Sequence, residues 1–289
     1  MNNASQELLY LLDLELLEVD LFRGIGTGGE TSTRIFGGHV IAQALAAAYR
    51  SVDGRLCHSL HAYFIRPGDP AVPVVYQIDR TRDGGSFTTR RVVAMQNGKQ
   101  ILTMSASFHI QEKGWQHQHE MPQVQGPDGL AERAELRAEA AQHFSKKHRD
   151  EFTRPRPIEI REVAPRDFFN PEPTGDSNHM WFRMPHATGT SPAIQQCLLA
   201  YASDLNLLGS SLRPHGLTWW KGNIMTTSLD HAMWFHAPVH FEDWHLYSMD
   251  SPFSGGARGF NRGSVFAPDG RLIASVAQEG LMRKMRTTK

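Results

Sequence analysis

Two stretches of this sequence share one plan: Ser59-Leu60-His61-Ala62 in the first half and Ser228-Leu229-Asp230-His231 in the second. A glycine pair follows each stretch, within Asp83-Gly84-Gly85-Ser86 and Ser254-Gly255-Gly256-Ala257, and then a short turn at Asn97-Gly98 or Asp269-Gly270. The landmarks stay about 170 residues apart, which predicts a duplicated structural unit. Where the two copies differ in polarity, we expect to find the functional residues.

Composition narrows the class of protein. The chain has 289 residues, with 30 basic and 30 acidic side chains. The length predicts about two domains, and the balanced charge gives no field that would attract nucleic acid or an anionic membrane. Two cysteines, Cys57 and Cys197, suit a reducing compartment, and no apolar run reaches membrane-spanning length. The start of the chain lacks the basic region of a signal peptide. We therefore expect a cytoplasmic protein with no nucleic-acid partner and no stable membrane insertion.

Hydrophobic periodicity divides the chain into an N-terminal unit over 1–115, a polar connector with one helix over 116–159, and a C-terminal unit over 160–289. Each unit has a helix followed by strands and a hairpin turn, which is an α+β arrangement. We expect the two sheets to join edge to edge, because uncovered edge strands promote aggregation. The predicted helices are Gln6–Leu17, Val40–Arg50, Leu130–Arg149 and Ala193–Leu208. The predicted strands are Leu60–Ile65, Val74–Thr81, Phe87–Met95, Ile101–Ile110, Ile224–Phe235, Trp244–Asp250, Ala257–Phe266 and Leu272–Leu281.

A carboxylate distinguishes the second-unit helix from its alanine-rich counterpart in the first unit. Asp204 follows Cys197 by seven residues and Tyr201 by three, so helical spacing places it on the flank of the apolar stripe. It also lies near the helix C-terminus, where a negative charge opposes the helix dipole. A carboxylate in this position needs a partner or a function. A structural link to nearby backbone and a catalytic role both fit.

Two further polar residues accompany Asp204. Gln278 shares one face of the last strand with small apolar residues, and Glu279 lies on the opposite face. Ser228 opens the strand that follows the helix and its long loop. Alone, Gln278 would mark the exit of the strand to solvent and Ser228 a turn, but together they place a hydroxyl and a carboxamide beside a carboxylate.

These three residues favour activation of a water molecule. No Gly-x-Ser-x-Gly elbow surrounds Ser228, so the set does not resemble a Ser-His-Asp triad. Asp204 would act as general base, while Ser228 and Gln278 orient the water or the carbonyl that it attacks. A thioester is a good enough electrophile for such a site without metal, cofactor or covalent intermediate. His58 is a secondary site candidate, although a structural role is the more common one for such a histidine.

Several motifs occur in the order found in one known family. Phe36-Gly37-Gly38-His39-Val40, His58-Ser59-Leu60-His61-Ala62-Tyr63-Phe64, Arg66-Pro67-Gly68-Asp69 and Asp83-Gly84-Gly85-Ser86-Phe87 resemble the first unit of the acyl-CoA thioesterase II family. Its second unit is similar to Tyr201-Ala202-Ser203-Asp204-Leu205-Asn206, Leu229-Asp230-His231-Ala232-Met233-Trp234-Phe235-His236, Ala257-Arg258-Gly259-Phe260 and Gln278-Glu279-Gly280. The resemblance covers nearly the whole chain.

The resemblance implies a double hotdog fold, in which each unit is a long helix wrapped by an antiparallel sheet. It implies hydrolysis of acyl-CoA to free fatty acid and CoA without a cofactor, and assembly into a homodimer or homotetramer. The catalytic set of the family falls on Asp204, Ser228 and Gln278, with serine at a position where bacterial relatives often have threonine. Because CoA carries phosphates, arginines should line its entry; the sequence offers Arg82, Arg90, Arg91, Arg258 and Arg262 without choosing among them.

Two other functions stay open at this point. An acyl-thioester hydratase or dehydratase would need an acid and a base at the β-carbon, such as an aspartate paired with a histidine, and no such motif stands out in the second unit. A non-catalytic acyl-CoA binding protein would bind without turnover, and the carboxylate at position 204 counts against it.

Overall fold

The computed structural model describes residues 3–26, 33–144 and 146–285. It begins with helix α1 (Asn3–Leu12), which ends five residues earlier than predicted. The remaining residues of the predicted helix enter a strand, β1 (Glu15–Glu18), which pairs with β2 (Leu21–Gly24). The leucines of this segment therefore lie in a helix and a strand rather than in one amphipathic helix.

The first long helix and its sheet follow the prediction. Helix α2 (Gly37–Tyr49) is buried along almost its whole length, because its alanines let strands and a second helix approach closely. Four strands surround it in sequence order: β3 (Leu56–Phe64), β4 (Val74–Asp83), β5 (Phe87–Gln96) and β6 (Lys99–His109). Asn97 and Gly98 join β5 to β6 with φ angles of 48° and 72°, the left-handed conformation that an Asn-Gly hairpin turn requires.

The connector contains two short helices instead of the single predicted one. Helix α3 (Arg133–Ala140) starts with a capping box between Glu132 and Glu135, and a 3-10 turn over Ala141–His143 ends its regular hydrogen bonding. Helix α4 (Lys146–Phe152) follows. Two strands that the sequence analysis did not predict, β7 (Glu159–Glu162) and β8 (Asn178–Arg183), then form one edge of the sheet.

The second long helix, α5 (Pro192–Ser203), ends five residues before its predicted end, and a separate turn, α6 (Gly209–Leu212), follows. The remaining strands are β9 (Ile224–Ser228), β10 (Asp230–Phe235), β11 (His245–Gly255), β12 (Arg258–Phe266) and β13 (Leu272–Lys284). The single strand predicted over Ile224–Phe235 is therefore two, β9 and β10, which both pair with β13. Ser228 lies opposite Gly280, but Ala232 lies opposite Ala277, so the register shifts by one residue at Leu229. Such a bulge re-aims the side chains beside it.

All strands belong to one antiparallel sheet, joined where β3 of the first unit pairs with β10 of the second. The predicted edge-to-edge junction is therefore confirmed. Helices α2 and α5 pack against each other across this junction. The Tyr49 hydroxyl donates to the Gln196 side-chain carbonyl, and the Gln196 amide donates to the carbonyl of Cys57 at 2.9 Å. The helix pair forms the centre of the largest buried apolar cluster.

In the described residues, no helix combines the length and apolarity needed to cross a membrane. Cys57 and Cys197 are buried free thiols, and burial raises the pKa of each. Within the same residues, no cluster of three or more histidine, cysteine and acidic side chains could hold a metal ion.

Candidate active site

Asp204 lies at the seam between the two units. It is the C-terminal capping residue of α5, the first residue beyond the last helical turn. The start of α2 faces it from the other unit, and the Gly38 amide donates to Asp204 Oδ2 at 2.9 Å. The carboxylate therefore opposes the dipole of its own helix and is stabilised by the N-terminal dipole of the other.

The three site residues predicted from the sequence converge on this carboxylate. The Gln278 amide Nε2 donates to Asp204 Oδ1 at 2.6 Å. The Ser228 hydroxyl lies 3.4 Å from the same oxygen, at the long end of hydrogen-bonding distance. One carboxylate thus has a short bond to a carboxamide, a bond to a backbone amide and a weak bond to a hydroxyl.

The electrostatic setting of Asp204 is a balance between burial and these donors. Burial disfavours the charged form and raises the pKa of Asp204 from 3.8 to about 6, although the bonds from Gln278, Gly38 and Ser228 lower it. A carboxyl group with this pKa is mostly ionised at neutral pH, yet it binds a proton far better than an exposed aspartate does. It can therefore take a proton from a neighbouring molecule.

The close approach of the two helices depends on a pair of glycines. A Cβ at Gly38 would lie 2.3 Å from the carbonyl oxygen of Tyr201, and one at Gly37 would lie 2.7 Å from Asp204 Oδ2. Any side chain at either position would therefore push α2 away from α5. The Gly-Gly pair is what lets the Gly38 amide reach the carboxylate.

Strands β9 and β13 deliver the other two side chains. Ser228 is the last residue of β9, immediately before the register shift, and Gln278 is fully buried in β13. The Gln278 Oε1 atom is buried and has no hydrogen-bond partner in the described part of the chain. Since its amide is used on Asp204, this oxygen remains available to accept a hydrogen from a water molecule.

Residues behind Asp204 fix its backbone. The Ser203 hydroxyl donates to the carbonyl of Ala200 at 2.9 Å, so His231 Nε2, also at 2.9 Å, must donate to that hydroxyl. The Tyr247 hydroxyl donates to the Ser203 carbonyl at 2.7 Å. Burial lowers the pKa of His231 to about 3, so the ring is neutral near physiological pH. These bonds hold the end of α5 in place.

A cavity of about 430 Å³ opens at Asp204 and Ser228. Gly37 and Phe36 contribute to its wall near the carboxylate, and leucine and tryptophan side chains line much of the rest. A second cavity of about 230 Å³ shares Phe36 and Leu205 with the first, so the two spaces are neighbours. The first space can hold an extended apolar chain beside the carboxylate.

His58 does not join this site. It lies in β3, where its Nε2 is 2.8 Å from the Ser107 hydroxyl and its ring packs edge-on against Phe87. It is not among the described residues that line either cavity. The structure therefore gives His58 structural contacts and no place beside Asp204.

The arginines suggested for phosphate binding also lie elsewhere, since none of the five lines either cavity. Arg90 is buried and donates to Ser51 and Asp83, so its guanidinium is already occupied by protein partners. Arg258 pairs with Glu279, and Arg262 forms a two-point pair with Asp250. The arginines that do line the larger cavity lie where sequence analysis did not look for a site: Arg34 before α2, Arg133 and Arg137 in α3, Arg166 between β7 and β8, and Arg213 after α6.

Sequence reasoning also missed the contribution of Gly38. The glycine pair before α2 was visible, but only contact between the two helices shows that a backbone amide serves Asp204. A glycine pair at the start of an otherwise buried helix was the available signal, because it marks a place of close backbone approach.

Known proteins resemble the chain along nearly its whole length. A family model described as acyl-CoA thioesterase matches residues 147–281, and one described as acyl-CoA thioesterase N-terminal domain matches residues 28–109. Acyl-CoA thioesterase 2 of Haemophilus influenzae is 35% identical over 284 residues, which cover 98% of this chain and 99% of that protein. Acyl-coenzyme A thioesterase 8 of Mus musculus is 40% identical, over 94% of this chain and 88% of that protein. Among solved structures, the acyl-CoA thioesterase II TesB2 from Mycobacterium marinum is 39% identical with a TM-score of 0.78, covering 96% of this chain and 98% of that one.

Proposed function

Because the chain belongs to the acyl-CoA thioesterase II family, we propose that it hydrolyses fatty acyl-CoA thioesters with a water molecule activated by Asp204. The chain is a thioester hydrolase, and its α+β fold is a double hotdog. The products are a free fatty acid and CoA. The observation that carries the proposal is the convergence of Gln278, Ser228 and the Gly38 amide on one enclosed carboxylate that borders a cavity.

The chemical step needs only the substrate, water and one base. Asp204 removes a proton from the water as its oxygen bonds to the thioester carbonyl carbon. The resulting tetrahedral oxyanion is stabilised by backbone N–H groups, for which Gly37, in the first turn of α2 and on the cavity wall, is a candidate. The carbon–sulfur bond then breaks, and the proton held by Asp204 passes to the departing thiolate of CoA. The carboxylate is thereby regenerated for the next turnover.

Gln278 and Ser228 have positioning and orienting roles in this step. The Gln278 amide holds Asp204 in one rotamer, and its unpartnered Oε1 accepts the second hydrogen of the water. Ser228, which borders the cavity, orients the water or the substrate carbonyl through its hydroxyl. Asp204, Gln278 and Ser228 together orient the lone pair of one water molecule toward the carbonyl. This fixed orientation lowers the entropic cost of the reaction and so contributes to the rate.

The alternatives have less support. A hydratase or dehydratase would need a second acid–base group beside Asp204, and no histidine is among the described residues that line its cavity. His231, a buried histidine behind Asp204, is committed to the Ser203 hydroxyl. A binding protein without turnover would not require a carboxyl group whose pKa is tuned to about 6.

The remaining parts of the proposal concern organisation. We propose a division into units at 1–115 and 160–289 with the connector between them, so that the second unit carries the three side chains and the first carries the Gly38 amide. Homo-oligomer formation and a cytoplasmic location stay predictions. Acyl-CoA is the expected partner, with no cofactor.

The experiment that tests this function is release of free thiol from saturated acyl-CoAs of two to eighteen carbons. Mass spectrometry of the products should show the free fatty acid, and the rate should vary with chain length. Absence of thiol release from every acyl-CoA, together with water addition to enoyl-CoA, would contradict the proposal and favour a hydratase.

A further inference from the structure

The cavity beside Asp204 has more positive charge than the reaction requires. Arg133, Arg166 and Arg213 line it, and Glu162 is the carboxylate that lies among them. Arg133 and Arg213 are more than nine-tenths buried. Guanidinium groups are rarely buried without anionic partners, because each loses its hydration on burial.

Glu162 balances this charge only in part: its negative charge acts on Arg166 and Arg213 from a distance, but its ion pair is with Arg133. Its Oε1 accepts from Arg133, with contacts of 2.7 Å to Nε and 2.6 Å to the terminal nitrogen. Asp167, which also lines the cavity, uses Oδ1 to accept the backbone amides of Phe169 and Asn170. Neither carboxylate forms an ion pair with Arg166 or Arg213 within the described ranges.

Arg166 has donors with nothing to bind. Its Nε and Nη2 atoms are buried and lack hydrogen-bond partners in the part of the chain that the structure describes. Burial and the positive charge of Arg213 hold the pKa of Arg166 below its usual range. Two guanidinium groups that repel each other inside one cavity form an arrangement that an anion would stabilise.

Arg213 is held only loosely by protein atoms. Its Nε lies 3.4 Å from the Gly175 carbonyl, and its Nη1 lies 3.4 Å from Asn178 Oδ1, both at the limit for a hydrogen bond. A guanidinium that is so deeply buried usually has short, charge-assisted bonds instead. Most of the hydrogen-bonding strength of the Arg213 guanidinium therefore remains available to a ligand.

Building on the proposed function, we propose that Arg166 and Arg213 bind an oxyanion group of the acyl-CoA substrate. The cavity connects them to the catalytic carboxylate, and Leu208 and Leu212, which lie between Asp204 and Arg213 in the chain, are part of its lining. A substrate that spans this space places its thioester at Asp204 and a charged group at the arginines.

The oxyanion can come from either end of the substrate. One source is a phosphate of the CoA moiety, which every substrate carries. The other is a carboxylate at the far end of the acyl group, which would make dicarboxylic monothioesters preferred substrates. The two sources share the same chemistry at the guanidinium groups, since phosphate and carboxylate both match their planar donors.

Three thioesters separate these sources: octanoyl-CoA, octanoyl-pantetheine without phosphates, and the pantetheine monothioester of octanedioic acid. Each is assayed with wild type, Arg166→Gln and Arg271→Gln, the last being an exposed arginine outside both cavities. If phosphate is bound, Arg166→Gln raises KM for octanoyl-CoA about tenfold to a hundredfold and leaves octanoyl-pantetheine unchanged. If carboxylate is bound, wild type prefers the octanedioic thioester over octanoyl-pantetheine, and Arg166→Gln removes that preference.

Further readouts keep the outcome decisive. Arg166→Lys retains charge but loses the planar fork, so it should fall between wild type and Arg166→Gln. Adenosine 3′,5′-bisphosphate should raise the melting temperature of wild type more than that of Arg166→Gln if phosphate is bound. Unchanged KM values for all three thioesters in folded Arg166→Gln would overturn the oxyanion site, whereas inactivity of wild type on every thioester would overturn the proposed function instead.

Discussion

Lowering the pH should switch off hydrolysis by protonating Asp204. Its carboxyl group has a pKa of about 6, raised from 3.8 by burial, and only the ionised form can accept a proton from water. At pH 7 about nine-tenths of the sites are ionised, and at pH 5 about a tenth are. The kcat/KM for a medium-chain acyl-CoA should therefore be flat above pH 7 and fall about tenfold per pH unit below 6.

The same titration affects the stability of the fold: ionisation of Asp204 allows hydrolysis but destabilises the native state. Because the folded-state pKa lies above the unfolded value, the native state binds the proton more tightly than the unfolded state does. The resulting contribution to the free energy of unfolding is complete below pH 3.8 and is lost as pH rises through 6. A rise of roughly two pH units in the pKa corresponds to about 3 kcal/mol. An amide at this position would not titrate. The melting temperature of Asp204→Asn should therefore rise relative to that of wild type as pH increases from 4 to 7.5.

The pH dependence of kcat/KM and that of the melting temperature can each be measured directly. Thiol release can be followed with 4,4′-dithiodipyridine, which reacts at low pH, and melting is followed by circular dichroism at each pH. A kcat/KM that is constant from pH 5 to 8 would refute the assignment of Asp204 as the titrating base. So would a melting-temperature difference between wild type and Asp204→Asn that does not change with pH.

Two other changes probe the surroundings of the carboxylate, and a third tests the exclusion of His58 from the site. Gln278→Ala removes the 2.6 Å donor to Asp204 and should lower kcat about a hundredfold with a smaller change in KM, and a kcat near wild type in steady-state assays would exclude its orienting role. Gly38→Ala places a Cβ 2.3 Å from the Tyr201 carbonyl, so it should displace the amide from Asp204 and move the pH–rate midpoint up by about one unit. Gly85→Ala, where a Cβ meets no atom within 4 Å, is the matched control, and equal midpoints in the two variants would contradict the role of the amide. His58→Asn should leave kcat/KM within about twofold of wild type, and a loss larger than about tenfold in a folded variant would return His58 to the site.

The sequence predicted the fold well where hydrophobic period and turn chemistry agreed. The Asn97-Gly98 turn, the buried alanine-rich helix and the alternation that buries Gln278 all depend on local rules, and each is confirmed. Predictions were wrong where tertiary contacts decide local structure. Helix α5 stops at Ser203, and the strand before β10 breaks at Leu229, because both ends must meet residues of another element.

The same division applies to the candidate site. Asp204 and Gln278 were predictable because they are polar residues in one copy of a repeat, and Ser228 because it opens the strand that follows the helix; the structure brings all three together. The Gly38 amide was missed, because the glycine pair signals a close backbone approach but does not say which group it meets. The cavity arginines were missed for a related reason: Arg133, Arg166 and Arg213 are far apart in the chain, and only the fold gathers them around one space.

The central claim is that Asp204 activates the water that hydrolyses the thioester. The most direct test is the single-turnover rate of octanoyl-CoA hydrolysis at pH 7.5 for wild type and Asp204→Asn, with circular dichroism to verify folding. We expect Asp204→Asn still to bind octanoyl-CoA but to hydrolyse it about a hundred to ten thousand times more slowly. Hydrolysis by Asp204→Asn at a rate close to that of wild type would contradict the claim.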